Sequence, residues 1–550
     1  MSSVRTRYPA PLIKMKGIMS QKIDKIVIVG GGSAGWMTAS TLINQFPEKQ
    51  IVVIESPNVP TVGVGESTIG GINRWCNLLG IKDSDFMRIT DASYKLSIKF
   101  TNFYRKDSGS FHYPFGFTDT TGNIAGRNDW YLKKLRYPET PIHDYATSVY
   151  PGMALINENK IIDNADNKLE GWQINRDTAY HFDATKFGGW LRDSYSKPRG
   201  VIHIPAEVKN TILNDEGIDY LVLDNGDKVT ADLFIDCTGF KSMLLAGAMQ
   251  EPFNSYEHML PNNSAWATRV PYTNKKEQLT GWTECEAIQN GWVWNIPLWS
   301  RIGTGYVYSD KFVNDQDALE EFKQFLKTKD LYSDDLEYKN IKMRVGIHRR
   351  LWVKNVCAIG LSAGFIEPLE SSGLFTVHEF LLKLIRTLNR GMVSQWDKDA
   401  FTSSCVKQFR VFAEFVALHY ALSHRDDTPY WVANGKREYS KDIIDQNYIP
   451  YSGINEMTGF AHAVESRYTN FNYGSDLAGS HCIFSGMNYF ATDMATIISN
   501  NHPKPDPEYL DAMFDAATLN IELKKKRWAD AVKDAPVLYD YLRERYQEEL

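Results

Sequence analysis

The sequence predicts an α/β fold in which a dinucleotide-binding, Rossmann-type domain carries an inserted sheet region and ends in a mainly helical C-terminal part. Three observations predict it. The stretch KIVIVGGGSAGWMTAS at 25–40 joins an apolar, β-branched run to Gly30, Gly32 and Gly35 at G-x-G-x-x-G spacing. Two more apolar runs far along the chain, LFIDCTGF and 355–359, also end in glycine turns, at Gly239 and Gly360. From Phe375 onward apolar residues recur at i, i+3, i+4 and i+7, as on one face of a helix.

Residues 26–29 read as a buried parallel strand. Gly30 permits the tight turn, Gly32 lets the backbone approach a pyrophosphate, and Gly35 lets the next helix pack on the sheet. Ser33 and Ala34 complete this cofactor loop. The helix is expected to run to Phe46, just before Pro47. A second apolar run at 51–54 ends in Glu55, placed where an acid can bind a ribose. TVGVGESTIGG follows, and its Gly63, Gly65, Gly70 and Gly71 mark a loop where backbone approaches something closely. Glu66 and Ser67 sit inside that loop; for Glu66 a helix-capping carboxylate is the plain alternative.

In SYKLSIKF, residues 93–100, Tyr94, Leu96, Ile98 and Phe100 alternate with Lys95, Ser97 and Lys99. Period two implies one strand with both lysines on its polar face, and on the residues alone that face is a solvated edge. Residues 105–175 read as a loop-rich insertion able to cover a site. Residues 180–193, YHFDATKFGGWLRD, read as a helix entered after a turn. The 201–236 segment alternates strands around an Asn225-Gly226 hairpin signal and delivers Asp236 and Gly239 from its last strand. Those turns, with Gly360, point to one nucleotide cofactor held by discontinuous segments. GWVWNIP at 291–297 sets Trp292 and Trp294 on one strand face. A helix from Phe375 should stop at Gly391, a second should run from Val406 to Leu422, and 507–550 is helical in composition.

Composition narrows the function. The chain has 550 residues, 23% of them charged, and a formal net charge of −6, which argues against nucleic acid as the main partner. Aromatics reach 13%, a surplus that suits enclosure of flat ligands. The six cysteines are scattered without a C-x-x-C pair, and no apolar run reaches membrane-spanning length. A cytoplasmic setting without membrane or metal fits these features. Residues 1–18 read as a poorly packed N-terminal extension.

Taken together, GGGSAGW, VGVGEST, SYKLSIKF, HFDA, GWVWNIP, GTGYVYS, FIEPLESSG and the DTPYW stretch ending at Trp431 resemble the flavin-dependent tryptophan halogenases, in family order. The resemblance implies a flavoprotein monooxygenase-like FAD domain. A separate flavin reductase supplies reduced FAD, and reduced flavin, oxygen and a halide (chloride, bromide or iodide) yield hypohalous acid. That oxidant crosses to a second chamber and halogenates a small electron-rich aromatic substrate. The resemblance places the catalytic lysine on Lys95 and the catalytic glutamate on Glu370. It places the halide pair on Ser372 and Gly373, with Ser372 keeping a hydroxyl donor where the family usually has Thr. It also places Phe111 and Ser371 at the substrate. The choice of Lys95 over Lys99 comes from the family match alone.

The resemblance further implies an FAD-binding module over 19–395 with substrate-region insertions near 101–175 and 245–340, and a helical substrate-binding or lid region over 396–550. The departure is at substrate recognition. The aromatic pair and acid that grip free tryptophan are not recognisable in 451–475, and Ser110 stands where a histidine is expected. Free tryptophan is therefore not the expected substrate. Two other readings stay open on the sequence: a flavin-dependent monooxygenase or oxidase on the same fold, and a non-catalytic partner-binding protein on a dinucleotide fold. The oligomeric state, a homo-oligomer included, is open as well.

Overall fold

A computed structural model describes residues 20–59, 65–116, 125–435, 477–489 and 507–546. The N-terminal extension, Gly63 and the 451–475 segment lie outside the described residues.

The apolar runs become the middle of a six-stranded sheet ordered Trp352–Val353, Val356–Ala358, Leu233–Asp236, Lys25–Val29, Gln50–Glu55, Ile202–Pro205. Only the first pair is antiparallel. The three strands that lead into glycine turns are neighbours, so Gly30, Gly239 and Gly360 follow the same end of one parallel sheet. Ligands of open parallel sheets bind beyond the carboxyl ends of the strands. The helix Ser33–Gln45 starts directly behind the glycines and is capped at Phe46, before Pro47.

A second, seven-stranded sheet runs Lys339–Lys342, Ser264–Val270, Ile302–Tyr308, Gly291–Pro297, Trp282–Ala287, Ser97–Thr101, Ser110–Pro114. Trp292 and Trp294 sit on its Gly291–Pro297 strand with ring centroids 6.3 Å apart. Gly305 on the next strand makes room for them, since a Cβ there would lie 2.2 Å from the Trp294 ring. A small three-stranded sheet, Glu66–Ser67, Ala179–Phe182, Ser93–Lys95, joins the glycine-rich loop to the larger sheet.

The chain changes sheets inside SYKLSIKF, which corrects the expectation of one continuous strand. Lys95 pairs with Ala179, whereas Ser97 pairs with Trp282 and Pro114. Leu96 is the crossing point: its N–H donates to Gly281 O at 2.7 Å and its carbonyl accepts from Phe115 N–H at 2.8 Å. The alternation of side chains is not carried across such a break. Lys99 ion-pairs with Glu284 at 3.0 Å beside Trp282, while Lys95 is fully buried above Phe115. The two lysines do not share a face, and the solvated-edge reading fails for Lys95.

Two more boundaries differ from expectation. HFDA is entered from the strand Ala179–Phe182, and the helix begins only at Ala184, started by Asp183 Oδ1 accepting from Thr185 and Lys186 N–H, and continues past Trp190 as a π-helical turn over Leu191–Ser196. The phenylalanine-rich helix begins at Gln395 and runs to Ala421, because Ser394 and Asp397 form a capping box upstream of Val406. The helix after the Glu370 loop spans Ser372–Leu388, and Gly391 follows it at φ +78°. Helices Pro507–Val532 and Leu538–Arg545 close the chain. All six cysteines are buried, and none forms a disulfide among the described residues.

Candidate active site

The glycine turns fit a dinucleotide. Gly30 has φ +115°, and a Cβ there would lie 2.2 Å from Cys237 O, so only glycine lets the first two turns touch. A Cβ on Gly35 would lie 1.8 Å from Gly30 O. A Cβ on Gly32, by contrast, meets no described protein atom within 4 Å. Gly32 caps the Ser33–Gln45 helix without a side-chain bond, so its open flank faces the unpaired N–H groups of the first turn, a ready pyrophosphate cradle. Glu55 lies against Gly31, 2.9 Å from His203 Nε2 and 3.6 Å from Arg192, at the position expected for a ribose acid. Gly239 and Gly360 hold φ +71° and +74°, and Gly360 packs so close to Ala34 that a Cβ would approach it to 2.7 Å. These residues fit FAD.

Asp236 is corrected. Its Oδ1 accepts from the Thr238 N–H and hydroxyl, and its Oδ2 accepts from the Leu244 and Leu245 N–H groups at 2.7 and 2.8 Å. Fully buried, its carboxylate shapes the turn that presents Gly239.

Lys95, Ser371 and Ser67 come together although they are far apart in sequence. Lys95 Nζ donates to Thr68 O at 2.9 Å and to Ser371 Oγ at 2.8 Å. Ser67 Oγ lies 3.0 Å from Ser371 Oγ and 2.6 Å from Thr283 Oγ1. The hydroxyls of Ser67, expected at the cofactor, and Ser371, expected at the substrate, both belong to the lysine's network. Ser371 holds φ +55°, a left-handed conformation forced on a non-glycine residue at the head of the Ser372–Leu388 helix. Burial pushes the Lys95 amine down to about 7, against the upward pull of nearby Cys285 and Glu370.

Glu370 precedes Ser371 and is 1% exposed. Its Oε1 lies 2.9 Å from Nε2 of His419, a fully buried residue of the phenylalanine-rich helix. His419 Nδ1 is 3.1 Å from Val416 O, which can only accept, so Nδ1 carries a proton. Phe100, 4.7 Å away, and Phe415, 5.8 Å away, flank the imidazole. Phe111 is 5.3 Å from Phe100 in the same aromatic layer, and Gly486 lies on its ring so closely that a Cβ would approach to 2.3 Å. Phe111 is thereby corrected from an open stacking residue to a packed wall.

Ser372 is corrected in part. Its hydroxyl donates back to Ile366 O at 3.1 Å, so it is not free for an anion. What the loop offers an anion is backbone: the N–H groups of the first turn of a 17-residue helix, where the dipole also favours negative charge. Glu66 Oε2 sits 3.8 Å from the place a Cβ of Gly373 would take. Burial and then Asp183 raise the Glu66 carboxyl to about 7, so near neutrality a large share of it is protonated and does not repel an anion there.

Sequence reading missed three members of this cluster: His419, Thr283 and His181. His181 Nε2 is 2.9 Å from Thr283 Oγ1. Burial, with Lys95 close by, holds the His181 imidazole well below its usual value, and therefore neutral. HFDA is one of the motifs that carry the resemblance, and its histidine is the available signal.

A glycine cradle at the end of a parallel sheet, beside an enclosed lysine–glutamate pair, defines a nucleotide-cofactor enzyme with an internal reaction site. A sequence model of the tryptophan halogenase family matches residues 25–489. Tryptophan 6-halogenase ThaL of Streptomyces albogriseolus is 31% identical over 549 residues, covering 96% of this chain and 99% of that protein. Tryptophan 7-halogenase RebH of Lentzea aerocolonigenes is 30% identical, covering 96% and 100%. Among solved structures, apo VirX1 is 36% identical with a TM-score of 0.84, covering 95% of this chain and 99% of that one. BrvH, a flavin-dependent halogenase from Brevundimonas sp. BAL3, is 28% identical with a TM-score of 0.78, covering 95% and 99%. The chain belongs to the tryptophan halogenase family and is an FAD-dependent halogenase. Among the described residues no helix is long and apolar enough to cross a membrane.

Proposed function

We propose that this enzyme halogenates an electron-rich aromatic other than free tryptophan, an indole or a larger scaffold, with Lys95 delivering the halogen and Glu370 completing the substitution. The observation that carries it is the hydrogen bond between Lys95 Nζ and Ser371 Oγ, which joins the buried amine to the residue next to Glu370. Reduced FAD, supplied by a separate reductase, would give two electrons to oxygen, so that oxygen oxidises halide to hypohalous acid with water as the other product. The residues of the chain do the rest. Gly30, Gly32, Gly35, Glu55, Gly239 and Gly360 hold the cofactor, and the Ser372 and Gly373 N–H groups hold halide. A buried amine poised near 7 has a substantial neutral fraction at physiological pH. Its lone pair takes halogen from hypohalous acid, forming N–X and releasing water; alternatively its N–H holds the acid by hydrogen bonding. Either way the electrophile is confined to one place. The ring's π electrons take the halogen, and Glu370 stabilises the cationic ring and accepts its proton.

The test is a panel of small aromatics with reduced FAD, oxygen and chloride, bromide or iodide, read by mass spectrometry. Halide-dependent addition of halogen to indoles supports the reading. Oxygenated product, or peroxide alone, independent of halide, contradicts it.

A further inference from the structure

The HFDA histidine has no part in the reaction as described so far, yet it ends a buried chain of polar groups that begins at Lys95. From Lys95 Nζ the chain runs through Ser371 Oγ, Ser67 Oγ, Thr283 Oγ1 and His181 to Ser93 Oγ and Pro297 O, in steps of 2.8, 3.0, 2.6, 2.9, 3.3 and 2.7 Å. Every side chain in it is buried.

The far end fixes the direction of every proton. Pro297 O can only accept, so the one hydroxyl proton of Ser93 goes to it. Ser93 Oγ must then accept from His181 Nδ1, which places the ring proton there; the same carbonyl also faces the imidazole. In a neutral ring Nε2 is then an acceptor, and Thr283 donates to it. Thr283 accepts from Ser67, Ser67 accepts from Ser371, and Ser371 accepts from Lys95. Thr68 O accepts a second lysine N–H. Both protons of a neutral Lys95 are thereby used as donors, and no neighbour in the chain has a proton to give back.

We propose that His181 is a positioning residue for halogen delivery: acting through Thr283, Ser67 and Ser371, it polarises the hydroxyl chain so that the Lys95 amine keeps its lone pair free for the incoming halogen. The inference rests on the delivery role assigned to Lys95. The charged or titratable groups around that amine are Glu370 and Cys285, with His181 beyond the hydroxyls. None of the three needs to change charge for the chain to hold its direction. Without the anchor at His181, Ser371 is free to turn and donate its proton into the lysine lone pair, blocking it.

The experiment reads Lys95 directly. Cyanate carbamylates a neutral amine through its lone pair, in a reaction that needs neither flavin nor halide, and peptide mass spectrometry reports the extent at Lys95. It is run between about pH 5 and about pH 10 on wild type, Thr283→Val, Thr283→Ser and His181→Phe, with halogenation measured in parallel. Thr283→Val keeps the shape and removes the link; Thr283→Ser keeps the link. The proposal expects Lys95 carbamylation and product formation to fall together in Thr283→Val and His181→Phe, by about threefold to tenfold. Flavin oxidation is retained, and Thr283→Ser returns both rates to near wild type. Wild-type carbamylation in Thr283→Val overturns it, as does a Thr283→Ser variant as impaired as Thr283→Val, which would mark a packing role. If carbamylation responds as expected while Lys95→Ala still makes product, the chain stands and the delivery role fails.

Discussion

Lys95 Nζ and Ser371 Oγ lie 2.8 Å apart across 276 residues of sequence. That bond ties the short strand carrying the amine to the residue that caps the helix after Glu370, so the amine and the carboxylate are placed by one buried contact. Several expected outcomes come from this arrangement.

Glu370→Gln keeps size and shape but loses both the base and the charge. The ring still takes halogen, yet it has no carboxylate to accept its proton. Product formation is expected to drop by about 10²–10⁴-fold, with flavin oxidation largely intact. Wild-type product rates in Glu370→Gln, from single-turnover assays, would remove Glu370 from the chemistry.

Gly32→Val should abolish FAD binding in a folded protein. The position just beside Gly32 meets no described protein atom within 4 Å, so the branched side chain enters the space assigned to the pyrophosphate without disturbing the core. Equilibrium titration with FAD, alongside circular dichroism, checks this. Unchanged affinity in the folded variant would move the cofactor elsewhere.

Halide affinity should fall as pH rises through about 7, because the Glu66 carboxyl near Gly373 loses its proton there and its charge then opposes an anion. Glu66→Gln carries no such charge and should flatten that dependence. Apparent halide KM across the pH range is the readout, and an unchanged profile in Glu66→Gln would assign the effect to another group.

The buried amine also sets a stability dependence. The folded-state value near 7 lies below the ordinary lysine value of 10.5, so between the two the unfolded chain binds more protons. Stability at this site therefore rises with pH across that window, and the penalty is fullest below about 7, where both states are charged. Lys95→Met should raise Tm most at or below about neutral pH, with the gain shrinking toward about pH 10. A gain independent of pH would mean that ordinary packing, not the buried charge, is responsible.

Indole or a larger scaffold should be turned over with a higher kcat/KM than free tryptophan. A carboxylate and an ammonium buried without partners cost several kcal/mol, and no recognisable partner set occurs in 451–475, a stretch outside the described residues. A clear preference for tryptophan over indole in steady-state assays would show that the partners come from elsewhere in the chain.

How much of this was legible depended on the range of the signal. The cradle was readable because its information is local: a β-branched strand, three glycines, a helix and Glu55 follow one another within 31 residues. Lys95 and Glu370 came only from the family resemblance, since the period-two pattern of SYKLSIKF pointed Lys95 toward solvent. That pattern assumes a single sheet, and nothing in the alternation marks Leu96 as the crossing between two. The partners Thr283, His181 and His419 are invisible to spacing because each acts over dozens to hundreds of residues. A histidine in the apolar run FVALHYAL looks like a satisfied core residue until the Glu370 loop is folded against it. Asp236 erred in the other direction. A buried acid at a strand end before a glycine suggests a ligand, but the backbone N–H groups of Leu244 and Leu245 take it first.

In the proposed reaction Lys95 carries the halogen from where the oxidant is made to where the ring is held. The most direct measurement follows flavin oxidation and halogenated product side by side in Lys95→Ala, Lys95→Arg and Lys99→Ala. Lys99 pairs with Glu284 away from the site and serves as the control. Lys95→Ala is expected to bind FAD and consume reduced flavin and oxygen normally, yet give almost no halogenated product. Lys95→Arg fails as well, because a guanidinium stays charged and has no lone pair to offer, while Lys99→Ala keeps most of its activity. Halogenated product at wild-type rates from Lys95→Ala would contradict this role of Lys95.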